Sequence, residues 1–471
     1  MIAGGDSRDG TRIIWVPSEG QMRGNGVEHE TRSGREGISG RNPGIPAALP
    51  ALKIALLADH LTRWGGGADF LRLCAGGLWQ KQKDSALTFS MLLPAESPIG
   101  TLRRHLSPWK RMAVQLLKLQ RPRFTEYSYL RREQSLDSVN SFGGELHTIV
   151  YREQERSHES LLHILEQRGY DALLPFSTSP GRFPLPWVGY IPDLQHLHRA
   201  EFFSAEECAQ RDLLFTELLR DAQAIIVNSR DAKRDIAHFY PGHKCAIFDL
   251  PFAPILNPEW LEDLPERTVS RYRLPQRYFL ISNQFWIHKS HGTAFEALAK
   301  LGRDHADVGM VCTGSTTDYR HPGYFPRLQR QIAELGLESR IQILGRIPKH
   351  DQIQIMRGAV AVLQPTRFEG GPGGGVVYDA VATGTPAILS DIPVNLEVLS
   401  RGREVEIEDG SIRFFRAGSV ADLAEHMRAG LTGRPPTPSK DQLRRRSDDR
   451  AERLGSRLLE AVEHASKASR V

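Results

Sequence analysis

The sequence predicts an α/β protein with two successive Rossmann-like, doubly wound parallel-sheet domains that face a central cleft. Two observations predict this fold. Short apolar runs, typical of strands buried on both faces of a parallel sheet, alternate with segments of helical periodicity along most of the 471 residues. A proline-rich stretch without a sustained period, at residues 251–270, divides that series in two and predicts an interdomain linker.

The first part of the chain predicts a tail followed by the opening of a doubly wound domain. Residues 1–48 are rich in Gly, Ser, Arg and Glu and lack hydrophobic periodicity, which predicts a flexible N-terminal tail. The first domain is predicted at 49–250 and begins with a strand at 52–58. A glycine triplet and a helix at 68–79 follow this strand, the order expected at the start of such a sheet.

The rest of the first domain continues the alternation. Ser229 is a plausible N-cap for a helix that Pro241 and Gly242 end. The other predicted elements are strands at 86–93, 171–175, 187–191 and 224–228 and helices at 160–168 and 205–222.

The second domain is predicted at 271–432 and a polar, helical C-terminal tail at 433–471. The predicted strands lie at 278–282, 308–312, 341–344, 359–363 and 386–389, and the predicted helices include 324–335, 351–357 and 441–465.

Composition excludes several classes of protein. Hydrophobic residues make up 40% and charged residues 25%, and the net charge of +5 is too small over this length to indicate a nucleic-acid partner. The four cysteines are scattered singly, which excludes a disulfide framework and a zinc finger. No apolar run approaches the ~18 residues of a spanning helix. We therefore expect a cytoplasmic protein.

The glycine-rich segment at 365–380 carries the strongest chemical signal. It follows a predicted strand and leads into a helix, so its backbone N–H groups can face an anion. Glu369 and Asp379 flank the loop. Their carboxylates are better suited to accept hydrogen bonds from the hydroxyl groups of a sugar than to bind a phosphate directly. A mobile surface loop is the alternative interpretation.

Around this loop the sequence resembles the retaining glycosyltransferases of family 4, which have the two-domain GT-B fold. That family carries a Phe-Glu-Gly motif, here at 368–370, a glycine-containing loop and a second acid that opens the next helix. The resemblance covers about residues 51–425, with further matching segments at 191–203, 283–291, 312–315, 384–386 and 390–397.

The resemblance implies roles for three charged residues. Glu369 would contact the donor sugar near the reacting centre, and Lys289 would pair with the donor diphosphate, whose developing charge a fixed ammonium stabilises. Asp379 would hold the ribose, although the family usually has Glu there and a loop two residues shorter. Asn283 stands where the family often has a basic residue, so stabilisation of the negative charge on the leaving diphosphate would depend more strongly on Lys289.

The donor-binding residues implied by the resemblance are mostly glycines. Because glycine allows close backbone approach and positive φ, the triplet of the first domain is expected to face the diphosphate from the opposite side of the cleft. The implied donor-binding residues are Gly65, Gly66, Gly67, Asn283, Gly314, Gly373, Gly374, Gly375, Val376 and Asp379.

Two histidine pairs are candidates for contacts with the sugars. His196 and His198 lie two residues apart and would share one side of an extended segment, so His196 is taken as a candidate catalytic residue. An ordinary polar loop histidine is the alternative for each. A metal site is rejected for this pair, and for His288 and His291, because a third ligand is missing. We expect neither a metal nor a cofactor besides the nucleotide sugar.

A basic stretch at 103–132 has interleaved apolar residues and almost no acids. Such a helix can contact an anionic membrane surface, which would suit an acceptor carried on a lipid and a peripheral position on the inner face of the membrane. A solvated helix face is the alternative.

These observations predict a glycosyltransferase that moves a hexose from a nucleotide-diphosphate sugar to a hydroxyl of a glycan or lipid-linked saccharide, with retention and without a metal. The donor would bind mainly to the second domain and the acceptor to the first. A sugar-nucleotide epimerase with the same fold and a catalytically silent nucleotide-sugar-binding protein are the alternatives. No nucleic-acid partner is expected.

Overall fold

The computed structural model describes most of the chain, in eight ranges. These are residues 13–15, 52–58, 60–63, 65–95, 139–151, 159–400, 410–433 and 435–468.

The first domain contains an all-parallel sheet with the strand order β1-β4-β3-β2-β5-β6-β7-β8 in the described residues. The connection reverses direction between β2 and β5, which makes the crevice beside their carboxyl ends the expected ligand site. The strands are β1 Ile13–Trp15, β2 Lys53–Leu57, β3 Thr88–Pro94, β4 Thr148–Tyr151, β5 Ala172–Phe176, β6 Trp187–Ile191, β7 Ala224–Val227 and β8 Ala246–Asp249. The helices are α1 Gly65–Lys83, α2 Glu159–Arg168, α3 Gln195–His198, α4 Ala205–Asp221 and α5 Arg230–Phe239.

The second domain contains a parallel sheet with the order β11-β10-β9-β12-β13-β14, again counted over the described residues. Its switch point lies between β9 and β12. The strands are β9 Arg277–Ser282, β10 Val308–Thr313, β11 Ile341–Gly345, β12 Val362–Gln364, β13 Ala387–Ser390 and β14 Ile412–Phe415. The helices are α6 Pro265–Arg271, α7 His291–Lys300, α8 Tyr324–Glu334, α9 Lys349–Gly358, α10 Gly374–Thr383, α11 Pro393–Ser400 and α12 Val420–Thr432.

The sequence pattern explains why these elements form. Strands such as β6 and β7 are buried along their whole length, as the apolar runs predict. The predicted N-cap at Ser229 is confirmed, because its hydroxyl accepts a hydrogen bond from the backbone N–H of Ala232 at 3.0 Å. Ser204 and Glu207 form a capping box that begins α4.

The last helix, α13 Lys440–Ala468, packs against the first domain rather than extending as a polar tail. Leu454 and Leu458 belong to the same hydrophobic cluster as the apolar face of α1. The two helices approach closely at two glycines, since a Cβ at Gly455 would lie 2.3 Å from the carbonyl oxygen of Gly77. The chain therefore crosses back, and α13 completes the core of the domain that the first half of the sequence begins.

Two other predicted segments differ from the structure. The predicted linker at 251–270 contains α6, whose Val269 packs in a cluster of the second domain, so that domain begins earlier than expected. The predicted tail contains β1, which pairs in parallel with β4. The rest of 1–48 and the basic stretch at 103–132 lie outside the described residues.

Four strands have no counterpart in the sequence-based predictions: β1, β4, β8 and β14. No helix among the described residues combines the length and apolarity that a membrane span requires. All four cysteines are free thiols.

Candidate active site

A cavity of about 390 Å³ lies between the two domains, at the carboxyl ends of both sheets. Segments that follow β2, β9, β10 and β12 supply much of its lining, which places it at both switch points. Predicted site residues that line it are Gly65, Gly66, Asn283, Lys289, Gly314, Glu369, Gly374, Gly375, Val376 and Asp379.

Lys289 and Glu369 meet in this cleft although 80 residues separate them in sequence. The Lys289 Nζ donates to Glu369 Oε1 at 2.5 Å, and the side chains are 14% and 9% exposed. Lys289 ends a 3₁₀ turn after β9, and Glu369 follows β12, the neighbouring strand in the sheet. The pair is therefore a direct product of the order in which the strands are arranged.

A chain of two buried amides ends at the Glu369 oxygen that Lys289 also contacts. Gln364 Nε2 donates to Glu369 Oε1 at 2.9 Å and to the carbonyl oxygen of Gly373 at 2.7 Å. Asn283 Nδ2 donates to Gln364 Oε1 at 2.5 Å. Asn283 thus orients the site through Gln364, a residue that the sequence analysis did not identify, because nothing in its local pattern marks the last residue of a buried strand as functional.

Gly314 has the backbone conformation that only glycine adopts easily. Its φ is +121°, and a Cβ there would lie 2.1 Å from the carbonyl oxygen of Asn283. The end of β10 can therefore approach the end of β9 closely, which the predicted donor-binding role for Gly314 requires.

The glycine-rich loop before α10 contacts the first domain. A Cβ at Gly370 would lie 2.1 Å from the carbonyl oxygen of Pro192, and Ser229 Oγ donates to the carbonyl oxygen of Gly370 at 3.0 Å. Gly373 is the N-cap of α10 in the left-handed conformation, and its N–H donates to Asn395 Oδ1 at 2.9 Å. The loop is thus a fixed interdomain contact rather than a mobile surface loop.

Asp379 lies in a cluster of four charged side chains drawn from both domains. Its oxygens accept hydrogen bonds from Arg72 Nη2 at 2.9 Å and from Lys349 Nζ at 2.6 Å, and the side chain is 1% exposed. Lys349 Nζ also donates to Asp69 Oδ1 at 3.2 Å. Each oxygen of Asp379 already accepts a hydrogen bond from a cation, so a ribose hydroxyl would have to use a remaining lone pair or replace one of these cations.

Burial and charge act against each other at Lys349. Burial alone lowers its pKa, but the carboxylates of Asp379 and Asp69 outweigh this effect and raise the pKa above its usual value. Lys349 is therefore a charged ammonium within the cleft lining. The sequence analysis missed Asp69, Arg72 and Lys349, since no local motif indicates that they meet.

The glycine triplet does not form the turn that the sequence suggested. Gly65, Gly66 and Gly67 are the first residues of α1 and have ordinary right-handed helical backbone. The expectation of positive φ is therefore wrong. Gly65 and Gly66 still line the cleft, whereas Gly67 is buried and lies outside its lining.

The structure does not bring His196 to the cleft. The ring is 1% exposed and packs edge-on against Phe215 with centroids 5.5 Å apart, and burial lowers its pKa. A catalytic role for His196 is not compatible with this position. His198 lies nearer, with its ring 5.7 Å from that of Phe368, which lines the cleft.

The acid of that same segment faces the cleft instead. Asp193 lines the cavity, and its Oδ1 accepts hydrogen bonds from Arg211 Nη2 at 2.6 Å and from the backbone N–H of Gln195 at 3.0 Å. A Cβ at Gly370 would lie 2.8 Å from the Asp193 Cβ, so this first-domain acid lies beside the loop that carries Glu369.

The second histidine pair is also buried. His288 lines the cleft, and burial together with the charges of Lys289 and Arg320 holds its pKa well below the usual value. His291 stacks on Phe285 with ring centroids 4.2 Å apart. Within the described ranges, no group of three or more His, Cys, Asp or Glu side chains is arranged to hold a metal ion.

Residues 265–453, which include Lys289, Lys349, Glu369 and Asp379, match the sequence profile of the family described as glycosyl transferases group 1. The second domain resembles glycosyl transferases group 1. The match begins at α6, which agrees with the earlier start of the domain seen in the structure.

A curated relative matches part of the chain. The chain is 31% identical over 127 residues to the O-antigen chain mannosyltransferase RfbU of Salmonella typhimurium strain LT2, an alignment of 27% of this chain and 33% of that protein. The chain thus spans about a third of the length of this relative.

Three solved structures align with most of this chain and with nearly all of their own length. Sucrose-phosphate synthase from Thermosynechococcus elongatus has a TM-score of 0.52 at 14% identity, over 89% of this chain and 98% of that chain. WaaG, a glycosyltransferase involved in lipopolysaccharide biosynthesis, has a TM-score of 0.51 at 13% identity over the same shares. The HepE protein of Anabaena, solved with UDP and glucose, has a TM-score of 0.50 at 16% identity over the same shares. The chain therefore has the GT-B fold.

Proposed function

We propose that this protein is a retaining, metal-independent glycosyltransferase of family 4 that moves a hexose from a nucleoside-diphosphate sugar to a hydroxyl acceptor. The observation that carries the proposal is the Lys289–Glu369 pair at the start of α10, inside the interdomain cleft. An ammonium at a helix N-terminus suits a departing diphosphate, and a carboxylate beside it suits the hydroxyl groups of the transferred sugar.

The proposed reaction needs no covalent intermediate on the protein. The bond between the anomeric carbon and the diphosphate oxygen breaks, and the acceptor oxygen bonds to the same face of that carbon. The acceptor proton passes to the departing phosphate oxygen, so no side chain needs to act as a covalent nucleophile. Glu369 is held by Lys289 and Gln364, which supports a role in orienting the sugar.

The two sides of the cleft would bind different substrates. The donor would lie mainly on the second domain, near Asn283, Lys289 and Gly314. The acceptor would approach from the first domain, where Asp193 presents a carboxylate beside Gly370. RfbU is an O-antigen chain mannosyltransferase and WaaG is involved in lipopolysaccharide biosynthesis, which favours a saccharide of this kind as acceptor and makes mannose the first sugar to test.

The experiment is a donor screen followed by a transfer assay. The purified protein is incubated with mannose or glucose carried on guanosine diphosphate or on uridine diphosphate, and binding of each donor is measured by thermal shift. A ligand at about a hundred times its Kd should stabilise the protein by ~2.7 kcal/mol. The donor that binds is then incubated with a panel of oligosaccharides, and proton NMR reports the anomeric configuration of donor and product.

Each outcome separates the proposal from its alternatives. Retention predicts the same anomeric configuration in donor and product. An epimerised nucleotide sugar formed without an acceptor would indicate the epimerase, and binding without turnover against the whole panel would indicate the silent binding protein. A Glu369→Gln protein that kept the full transfer rate would contradict the role of that residue.

A further inference from the structure

Lys349 is a second ammonium in the cleft, and its role is not part of the resemblance described above. It is the first residue of α9, it lines the cavity and it is 12% exposed. Its Nζ lies 2.6 Å from Asp379 Oδ2 on the same domain and 3.2 Å from Asp69 Oδ1 on α1 of the other domain. One of its two carboxylate partners therefore comes from across the cleft.

The two lysine clusters lie on either side of the same helix start. A Cβ at Gly374 would lie 2.9 Å from Glu369 Oε2, the partner of Lys289. A Cβ at the next residue, Gly375, would lie 3.0 Å from Asp69 Oδ2. The beginning of α10 thus lies next to one carboxylate from each cluster, which brings both ammonium groups close to the position that the proposed function gives to the diphosphate.

We propose that Lys349 binds the diphosphate of the donor and that Asp69 competes with the diphosphate for this ammonium. The inference rests on the proposed function, since it assumes that a nucleoside diphosphate enters this cleft. Asn283 brings no charge, so Lys349 supplies the second cation for a ligand that carries two or more negative charges.

The partners of Lys349 differ in how easily they can be replaced. Asp379 is 1% exposed and is also held by Arg72, so it stays in place when Lys349 moves toward a ligand. Asp69 is 23% exposed, and its 3.2 Å contact with Lys349 is longer than the 2.6 Å contact of Asp379, so Asp69 is the more accessible and the weaker of the two partners. Asp69 is therefore the partner that a diphosphate displaces.

The test compares nucleoside diphosphates with their nucleosides. Isothermal titration calorimetry measures the Kd of UDP, GDP, ADP and dTDP, and of the four nucleosides, for the wild type and for Asp69→Asn. A tenfold change in Kd corresponds to about 1.4 kcal/mol, which lies between the ~1 kcal/mol and ~4 kcal/mol that two unit charges about 4 Å apart contribute in water and near a protein surface. We expect Asp69→Asn to bind the diphosphate about tenfold more tightly and its nucleoside with unchanged Kd.

Two further variants complete the design. Asp307→Asn removes a carboxylate that pairs with Arg277 outside the cleft lining, and it should leave every Kd unchanged. Lys349→Met should raise the Kd of the nucleoside diphosphate about tenfold and leave the Kd of the nucleoside unchanged. Should Lys349→Met fail to fold because Asp379 and Asp69 lose their partner, Lys349→Gln takes its place, since its amide can still donate a hydrogen bond to Asp379.

The opposite results are equally clear. If Asp69→Asn raises the Kd of the diphosphate and of the nucleoside alike, Asp69 binds the ribose and does not compete with the diphosphate for Lys349. An unchanged diphosphate Kd in Asp69→Asn overturns the inference as well. If none of the four diphosphates binds the wild type, the proposed function itself fails, which distinguishes that outcome from failure of the inference alone.

Discussion

Replacement of Lys289 by Met tests the electrostatic basis of the proposed function most directly. The ammonium lies 2.5 Å from Glu369 Oε1 in the free protein and would face the leaving diphosphate during transfer. Loss of one preorganised charge-stabilising group typically lowers kcat by about 10²–10³, which corresponds to roughly 3–4 kcal/mol of transition-state stabilisation. We expect this loss in kcat, with a smaller change in KM for the donor.

The same variant also disturbs the fold, and the structure gives the size of that effect. Breaking a fully buried ion pair costs about 3–5 kcal/mol, because a charge is left without its partner. Here both side chains keep some exposure, and Gln364 still donates to the same oxygen of Glu369. We therefore expect a loss of only about 1–2 kcal/mol in the free energy of unfolding.

A double variant separates the two effects. In Lys289→Met/Glu369→Gln no unpaired carboxylate remains, so most of the lost stability should return while kcat stays low. Transfer rates from nucleoside-diphosphate release, together with urea unfolding, measure both quantities. A folded Lys289→Met protein with kcat within threefold of the wild type would refute the electrostatic argument.

Three other variants test the fold around the site. Burial lowers the pKa of His291 from about 6.5 to about 3, so the unfolded chain binds the proton first and stability falls as pH drops below about 6.5. Relative to His291→Phe, the wild type should lose about 2 kcal/mol of unfolding free energy between pH 7.5 and pH 5, and parallel pH profiles would contradict this. Gly314→Ala forces a Cβ against the carbonyl oxygen of Asn283 and should cost roughly 2–3 kcal/mol and weaken nucleotide binding, as denaturation and calorimetry would report. Leu458→Ala should cost about 2–5 kcal/mol because the side chain is fully buried, whereas the exposed Arg453→Ala should change stability by less than about 0.5 kcal/mol.

Much of the fold follows from local sequence because of how parallel sheets are buried. Strands covered by helices on both faces need continuous apolar runs, and those runs placed β2, β6, β7, β9 and β10 within one or two residues of their observed bounds. The elements that escaped prediction include β8, whose residues are only partly buried and therefore do not form a continuous apolar run.

The candidate site divides in the same way. The resemblance to family 4 singled out Lys289 and Glu369, and the structure brings them together because the carboxyl ends of neighbouring parallel strands meet at one edge of the sheet. The prediction for His196 was wrong because it assumed an extended segment, in which residues two apart share one side. Gln195–His198 is instead a short helix, in which they do not.

What the sequence alone determined is the pair of parallel-sheet domains and the position of the glycine-rich loop that carries Glu369. Only the tertiary structure decided how the domains are joined: α13 returns to pack on α1, Arg72 meets Asp379 across 307 residues, and Lys349 meets Asp69 across 280. The physical reason is that the hydrogen bonds within a helix and the apolar periodicity of a helix or strand act over a few residues and leave a pattern in the sequence. A contact between distant charges depends on the position of every element between them and leaves no such pattern.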